Sequence, residues 1–318
     1  MTDRVAANTP QRIATLQRMF SKNRTHRKLE ERFLNLLERR RVELQAGMIA
    51  EARCIALIGA SGSGKTRAAE HLFATQPDLV LHNCDSSRLD IASFQVPSPA
   101  TLKFVGQTAL ETLGYELRRD RSAQIIWSMV KAHLQARRTM FLHIDEAQDL
   151  MRHQTPRELN AVVSTLKSLL QHKSWPVGLL LTGTAELKTL INHDPQLARR
   201  VFPIEVARLN ILVDSDRILK AIAHYAKAAG IAVSADTLNP DLAARLVHAA
   251  DREFGLMNEM IIQSLEEAMI TGDEEVRREH FTSMFRKRAG CVDGLNVFVD
   301  DDFERIDVRR LLDHGDDA

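Results

Sequence analysis

The sequence predicts an α/β fold, in which a parallel β-sheet has helices on both faces, followed by a smaller all-helical domain. Two observations lead to this prediction. Between residues 51 and 210, short apolar segments alternate with helical segments, an order that is typical of parallel sheets. After Leu209 the apolar segments end and amphipathic helical patterns follow. The 318 residues are enough for about two domains of ~150 residues each.

The first 50 residues are expected to form a basic helical extension. Apolar residues recur there at helical spacing, and from Arg4 to Arg41 eleven Lys or Arg residues stand against three Glu, a balance of +8. Such a segment either contacts nucleic acid or an acidic partner, or is simply a solvated helix face.

Residues 51–210 are expected to form the sheet domain. The predicted strands are Cys54–Ile58, Leu79–Cys84, Met140–Ile144, Val177–Thr182 and Val201–Val206. The predicted helices between them are Leu102–Leu113, Ser122–Ala136 and Glu158–Leu170.

Residues 211–290 are expected to form the helical domain. Its predicted helices are Asp214–Ala229, Pro240–Ala250 and Leu256–Thr271, with breaks at Gly230 and Gly255. Residues 291–318 carry nine acidic and three basic residues, a balance of −6, and are expected to form an acidic tail with one candidate helix at Ile306–Leu312.

The composition excludes several classes of protein. Hydrophobic residues make up 44%, charged residues 27%, and the net charge is +1, which excludes a collagen-like, wholly disordered or polybasic chain. Apolar segments are too short to span a membrane, and the first residues lack the apolar segment of a signal peptide. The three cysteines have no CxxC spacing, so neither a disulfide framework nor a thiolate zinc site is expected. These features predict a cytoplasmic protein.

The first predicted strand runs directly into a phosphate-binding motif, Gly59-x-x-x-x-Gly64-Lys65-Thr66. Its glycines let successive backbone N–H groups surround an anion, and the helix that follows directs its positive end at the phosphates. Lys65 is expected to contact the β- and γ-phosphates of ATP, and Thr66 to ligate Mg²⁺. The whole loop is the predicted nucleotide site: Gly59, Ala60, Ser61, Gly62, Ser63, Gly64, Lys65 and Thr66.

Two adjacent carboxylates end the third predicted strand. If this strand lies near the phosphate loop, Asp145 can hold Mg²⁺ and Glu146 can polarise an attacking water. This arrangement predicts ATP hydrolysis rather than phosphate transfer to a metabolite. The alternative is that the pair merely caps a helix that begins at Ala147.

Weaker signals follow the fourth predicted strand. Thr182, preferred slightly to Thr184, is a candidate for orienting the attacking water, with a simple strand-end turn as the alternative. Arg199 and Arg200 precede the fifth strand, where a guanidinium from one subunit can stabilise charge at the γ-phosphate of its neighbour. The alternative is a surface arginine pair bound to a carboxylate.

In this order, the motifs resemble those of the AAA+ ATPases, P-loop NTPases with a helical lid domain. Within that class the chain is similar to the TniB/TnsC group of transposition ATPases, relatives of the phage MuB protein. The closer similarity covers roughly residues 30–312 and rests on the Pro-rich segment Val96–Lys103, the helix end Leu113-Gly114-Tyr115, and the segments His143–Gln148, Thr182–Glu186 and Asp300–Leu312.

The resemblance implies a regulator that uses ATP and Mg²⁺, assembles with itself as a ring or filament on double-stranded DNA, and recruits or stimulates a transposase. ATP hydrolysis would then control disassembly, and a target-selector protein is a further implied partner. The candidate DNA contacts are Lys103, Arg118, Arg119 and Arg121, and the alternative is that they are ordinary exposed side chains. In one departure, the lid arginine that touches the γ-phosphate in many AAA+ proteins is missing from Gly255-Leu256-Met257-Asn258, and Arg252 is only a distant substitute.

Three other functions fit parts of this pattern. A helicase loader or replication initiator shares the same ATPase core. A small-molecule kinase can share the phosphate loop, although Asp145 and Glu146 and the helical lid disfavour it. A signalling NTPase would use its nucleotide state to govern protein contacts alone, without DNA.

Overall fold

The computed structural model describes residues 8–81, 88–152, 154–310 and 312. They form two compact units. The sheet unit comprises residues 22–61 and 65–207, and the helical unit comprises the described residues up to Ser21, residues 62–64 and the described chain from Arg208 onward. None of the helices in the described ranges combines the length and the hydrophobicity that a membrane-spanning segment requires.

The elements of both units are numbered along the chain. The helices of the described residues are α1 (Thr9–Arg18), α2 (Arg24–Gln45), α3 (Lys65–Ala74), α4 (Leu102–Thr112), α5 (Ala123–Ala136), α6 (Pro156–Leu170), α7 (Leu187–Asn192), α8 (Pro195–Ala198), α9 (Ile211–Ala229), α10 (Pro240–Ala249), α11 (Phe254–Thr271) and α12 (Arg278–Ala289). The strands are β1 (Cys54–Ile58), β2 (Ile91–Gln95), β3 (Phe141–Asp145), β4 (Gly178–Gly183), β5 (Val201–Glu205), β6 (Ala232–Val233) and β7 (Glu275–Val276).

The sheet unit contains five parallel strands in the order β2-β3-β4-β1-β5. Every residue of β1, β3 and β4 is buried, as expected for parallel strands that are covered on both faces. Because these three strands are neighbours, their carboxyl ends lie side by side, with Asp145 and Gly183 on adjacent strands. The sheet therefore brings the predicted catalytic segments to one edge.

Alternate residues of β1 pack on opposite faces of the sheet. Ile55 and Leu57 pack with Phe33 of α2 and Leu72 of α3. On the other face, Cys54 packs in a core that includes residues of α4, α5 and α6. The fold class expected from the sequence, a parallel sheet with helices on both faces, is confirmed.

The second strand lies later in the chain than the sequence pattern predicts. Residues 79–81 form no strand, and residues 82–84 of the predicted segment Leu79–Cys84 lie outside the described residues. The strand next to β3 is Ile91–Gln95 instead. It alternates buried and exposed residues at its carboxyl end because it is an edge strand, and Ser93 and Gln95 interrupt the apolar pattern.

The helical unit has one continuous apolar core. Ile222 of α9, Leu246 of α10 and Leu265 of α11 are fully buried in it. Helix α1 contributes Ile13 and Leu16 to the same core. The expected N-terminal extension is therefore divided, because α1 packs in the helical unit and α2 in the sheet unit.

The acidic tail packs in the helical unit. Val297 and Phe298 are buried there, and the Arg245 guanidinium donates hydrogen bonds to the backbone carbonyls of Val297 and Asp300, at 2.7 and 2.6 Å. The candidate helix Ile306–Leu312 does not form in the described part of that segment. A 3₁₀ turn at Phe303–Arg305 immediately precedes it. Leu311 itself lies outside the described residues.

Candidate functional site

The phosphate loop follows β1 and leads into α3, as its motif requires. The Gly59 N–H donates to the carbonyl of Gly183 at 3.0 Å, which ties the start of the loop to the end of β4. Gly62 and Gly64 have φ angles of +76° and +88°, a left-handed conformation that favours glycine. Lys65 begins α3, and its ammonium group donates to the carbonyl of Ala60 at 2.8 Å. The lysine side chain thus lies along the loop that its motif assigns it to.

Asp145 receives hydrogen bonds from two hydroxyl groups. Thr66, the second residue of α3, donates to Oδ2 at 2.7 Å, and Thr182 of β4 donates to Oδ1. The Asp145 side chain is buried at the end of β3. Thr66 lies 79 residues from Asp145 in the sequence, and Thr182 lies 37 residues from it. The fold therefore brings together three residues that the sequence analysis proposes for the magnesium and catalytic site.

The residues at this point fit Mg²⁺. A carboxylate and a hydroxyl meet directly, and both are the hard oxygen donors that Mg²⁺ prefers. In the described part of the chain there is no group of three or more His, Cys, Asp or Glu side chains placed to hold a metal. A donor set of Thr66 and Asp145 suits an ion that keeps several waters and binds substrate phosphates rather than one enclosed by protein.

Glu146 is held by a glutamine whose role the sequence motifs do not indicate. Its backbone is left-handed, with φ 52° and ψ 39°, and its carboxylate accepts a hydrogen bond from Gln148 Nε2 at 2.6 Å. The buried Gln148 also accepts from the Thr184 N–H at 3.0 Å. Gly183 leaves the space for this amide, since a Cβ there would lie 2.5 Å from Gln148 Oε1. Gln148 thus links Glu146 to the end of β4.

His143 is a second residue near the site to which the sequence motifs assign no role. It is buried in the middle of β3, with Nε2 at 3.1 Å from the Thr182 hydroxyl and Nδ1 at 2.7 Å from the Ser93 hydroxyl. Burial lowers the pKa of His143 to about 4, against the opposing effect of the Asp145 charge. A polar residue inside an otherwise apolar strand was the signal in the sequence.

The two candidate threonines differ in their contacts. The Thr182 hydroxyl lies between His143 and Asp145. The Thr184 hydroxyl is buried without a hydrogen-bond partner among the described residues, and this residue contacts Gln148 through its backbone. The geometry places Thr182, and not Thr184, against the Asp145 carboxylate.

The arginine pair is divided by the fold. Arg200 is 2% exposed and forms an ion pair with Glu51, and its guanidinium also donates to the carbonyl of Gln196. This pairing holds the Arg200 side chain within the sheet unit, and its action on a neighbouring subunit stays a prediction. The side chain of Arg199 is exposed, and Arg199 stays a prediction as the residue acting on a neighbour.

The candidate DNA contacts share one region of the sheet unit. Arg118, Arg119 and Arg121 are exposed in the connection between α4 and α5. Lys103, in the first turn of α4, forms an ion pair at 2.5 Å with Asp120 of that connection. The Lys103 hydrogen bond lowers the pKa of Asp120. The structure thus brings the four basic residues together but gives Lys103 an acidic partner.

Comparison with solved structures shows the fold of AAA+ P-loop NTPases. Cdc6p from Pyrobaculum aerophilum matches with a TM-score of 0.60 and 16% identity, over 86% of this chain and 70% of that one. The Aeropyrum pernix ORC1 protein, solved in complex with DNA, matches with a TM-score of 0.58 and 16% identity, over 83% of this chain and 64% of that one. The Aeropyrum pernix ORC2 protein, in ADPNP–ADP complexes, has a TM-score of 0.56 and 14% identity, over 81% of this chain and 65% of that one.

Sequence comparison identifies the family. A comparison with curated proteins found no match. The family model of the bacterial TniB protein matches residues 12–211, which include the phosphate loop, Asp145, Glu146 and the whole sheet. Because this match covers more than half of the chain, the protein belongs to the TniB family.

Proposed function

We propose that this protein is a Mg²⁺-dependent ATPase that assembles on double-stranded DNA and recruits or stimulates a transposase, with hydrolysis controlling its release. The observation that carries the proposal is the meeting of Thr66, Thr182 and Asp145 beside the phosphate loop in a chain of the TniB family. The DNA-bound ORC1 protein, which has a similar fold, supports the DNA component.

Each residue has a separate task in hydrolysis. Lys65 contacts the phosphates of ATP, and Glu146 accepts a proton from the water that attacks the γ-phosphorus. The new bond joins that water oxygen to phosphorus, the bond to the β,γ-bridging oxygen breaks, and ADP and phosphate leave. Thr66 and Asp145 would hold Mg²⁺, which when bound would supply positive charge to the phosphate oxygens. Thr182 keeps the Asp145 carboxylate in position.

Assembly would complete the site. Arg199 is exposed at the end of α8, so it is available to a neighbouring copy of the chain. In comparable enzymes an arginine supplied in this way increases the rate by roughly 10³–10⁵. We infer that ATP binding and self-assembly are linked through this residue, and that Arg118, Arg119, Arg121 and Lys103 contact the DNA backbone.

Two variants test the proposal in opposite directions. Lys65→Ala is expected to abolish ATP-dependent DNA binding because it removes the charge that holds the phosphates. Glu146→Gln is expected to retain ATP binding and to prolong residence on DNA because hydrolysis is blocked. Binding to a fluorescent duplex at fixed salt, with ATP and with ADP, measures both effects. Equal duplex affinity of Lys65→Ala and the unaltered protein would contradict the proposal.

A replication initiator or helicase loader is the second candidate. It is favoured by the similarity of fold to Cdc6p and the ORC proteins, at 14–16% identity. Co-purification of the tagged protein from cells that contain both a TniB-associated transposase and the replicative helicase distinguishes them. The first proposal predicts ATP-dependent capture of the transposase, and the second predicts capture of the helicase.

A further inference from the structure

We propose that His143 is a positioning residue for ATP hydrolysis, which acts through Thr182 to fix the orientation of the Asp145 carboxylate. The inference rests on the proposed ATPase function and adds a second layer of side chains behind the predicted site. It assigns a task to a buried histidine and to Ser93 of the edge strand.

A continuous chain of hydrogen bonds crosses three strands. It begins at Ser93 of β2, passes through both ring nitrogens of His143 on β3, continues to the Thr182 hydroxyl on β4, and ends at Asp145. Ser93 and His143 are direct partners in the strand register. The register pairs His143 with Leu180, and Thr182 lies two residues further on the same face of β4. The strand pairing itself therefore sets the spacing of the chain.

The number of available protons fixes the direction of every bond. The Thr182 hydroxyl has one hydrogen and donates it to Asp145 Oδ1. Thr182 can therefore only accept from His143, so Nε2 must carry a proton. A neutral ring then has no proton on Nδ1, and Ser93 must donate to it. The bonds run in one direction, from Ser93 to the carboxylate.

Packing alone does not account for a histidine at this position. The other residues of β3 before Asp145 are Phe141, Leu142 and Ile144, and a leucine at position 143 would continue that pattern. Burying an imidazole costs free energy unless its nitrogens are hydrogen-bonded. Here both nitrogens have partners, and the edge of the ring contacts Phe73 of α3 at a centroid distance of 5.5 Å. The ring is thus locked in one orientation.

The consequence is a carboxylate that is held on both oxygens. Thr66 donates to Oδ2, and Thr182, itself held by His143, donates to Oδ1 together with the Glu146 N–H at 3.0 Å. Without His143, the Thr182 hydroxyl keeps its bond to Asp145 but loses the donor that orients it, so Oδ1 is held less precisely. Removal of such an outer hydrogen-bond partner typically costs about 10- to 100-fold in activity.

Steady-state ATPase kinetics of five variants, four single and one double, test this role. His143→Leu is expected to lower kcat by about 10- to 100-fold with unchanged affinity for a non-hydrolysable ATP analogue. His143→Gln restores an N–H donor toward Thr182 and is expected to recover much of kcat. Ser93→Ala is expected to cause a smaller loss, because Ser93 is exposed and water can replace its hydroxyl. The double variant Thr182→Val/His143→Leu is expected to have the same kcat as Thr182→Val alone, because His143 acts through Thr182.

A matched control separates this effect from general loss of packing. Thr139→Val removes a buried hydroxyl just before β3 that has no hydrogen-bond partner among the described residues, and it should leave kcat unchanged. If the unaltered protein hydrolyses ATP and His143→Leu does so at the same kcat, the inference is refuted while the ATPase proposal stands.

The ring tautomer provides a test that does not need activity. Two-dimensional ¹H–¹⁵N spectra of the histidine rings, with His143 assigned by comparison with His143→Gln, are expected to show a neutral ring protonated on Nε2. This result is expected even if the protein does not turn over ATP, and it also does not depend on a leucine variant that folds. A ring protonated on Nδ1 alone would overturn the inference.

Discussion

Arg199 and Arg200 are consecutive residues with opposite environments. The Arg200 guanidinium is buried against Glu51, whereas Arg199 is exposed. Sequence cannot separate them, because both fit the same motif position and the partner Glu51 lies 149 residues away. Both residues lie in the short connection between α8 and β5, and only Arg200 is buried against Glu51.

This contrast predicts an order of stabilities. Glu51→Ala leaves a buried guanidinium without its carboxylate and is expected to lower the free energy of unfolding by about 2 kcal/mol, below the ~3–5 kcal/mol of fully buried pairs because Glu51 is partly exposed. Arg200→Met should cost less, since Glu51 can be hydrated. Arg199→Ala should cost nothing in stability but lower ATPase activity in the assembled protein. Urea unfolding measures the first two, and a larger loss in Arg200→Met would contradict the account.

Gly183 is a second single residue whose substitution has a predictable effect. Gly183→Ala places a Cβ at 2.5 Å from Gln148 Oε1, so the amide must move away from Glu146 and Thr184. We expect a loss of about 1–3 kcal/mol in unfolding free energy and a lower kcat with little change in nucleotide affinity. If Gly183→Ala has full stability and full activity, the position of the Gln148 amide does not depend on the space that Gly183 leaves.

Site residues were predictable to different degrees. Lys65, Thr66, Asp145 and Glu146 follow from motifs whose chemistry dictates their spacing. Ser93, His143 and Gln148 could not be assigned from the sequence, because their roles depend on hydrogen bonds to other elements. The role of Gln148 also requires that residue 183 be a glycine, which only the packing explains.

At the scale of elements, buried strands were easier to predict than the edge strand. The segments at β1, β3 and β4 are fully buried and therefore apolar throughout most of their length. Strand β2 carries Ser93 and Gln95 on its exposed side, so the apolar residues near Leu79 were the stronger signal. The start of α5 was predicted closely at its cap Ser122, whose hydroxyl accepts from the Ile125 N–H, whereas α9 begins at Ile211, before the predicted Asp214, although Asn210 caps it.

The close packing of α4 against α5 predicts the effect of a substitution at Gly106. A Cβ at Gly106 would lie 2.7 Å from Ile126 Cγ2 and 3.0 Å from Trp127 Nε1. Gly106→Ala gains about 1 kcal/mol in helix propensity, but forcing the helices apart costs typically ~1–3 kcal/mol. The expected result is a lower thermal midpoint. Glu111→Ala, on an exposed position of the same helix, is the control, and a rise in midpoint for Gly106→Ala would contradict the close packing.

For the whole molecule, charge distribution is more informative than net charge. The chain has a net charge of only +1, yet Arg118, Arg119 and Arg121 are exposed on one connection. The acidic tail, in contrast, packs in part against its own unit through Arg245. Composition could indicate the basic and acidic segments, but not which of them fold against a core.

Salt dependence tests the proposed DNA contacts. Arg119→Glu is expected to weaken duplex binding and to reduce the slope of log affinity against log salt by about 0.9 for each DNA phosphate that the variant no longer neutralises. Lys173→Glu changes charge equally in the exposed connection that leads into the amino end of β4, and it should leave the slope unchanged. Equal slopes for the two variants would remove the α4–α5 connection from the DNA interface.

Every function proposed for this protein depends on the binding of a magnesium–nucleotide complex by residues 59–66 and Asp145. Titration calorimetry of the 318-residue protein with a non-hydrolysable ATP analogue, with and without Mg²⁺, measures this binding. We expect saturable binding that is tighter with Mg²⁺ and is lost in Lys65→Ala. Absence of heat from the folded, unaltered protein, or binding by Lys65→Ala with undiminished affinity, would contradict it.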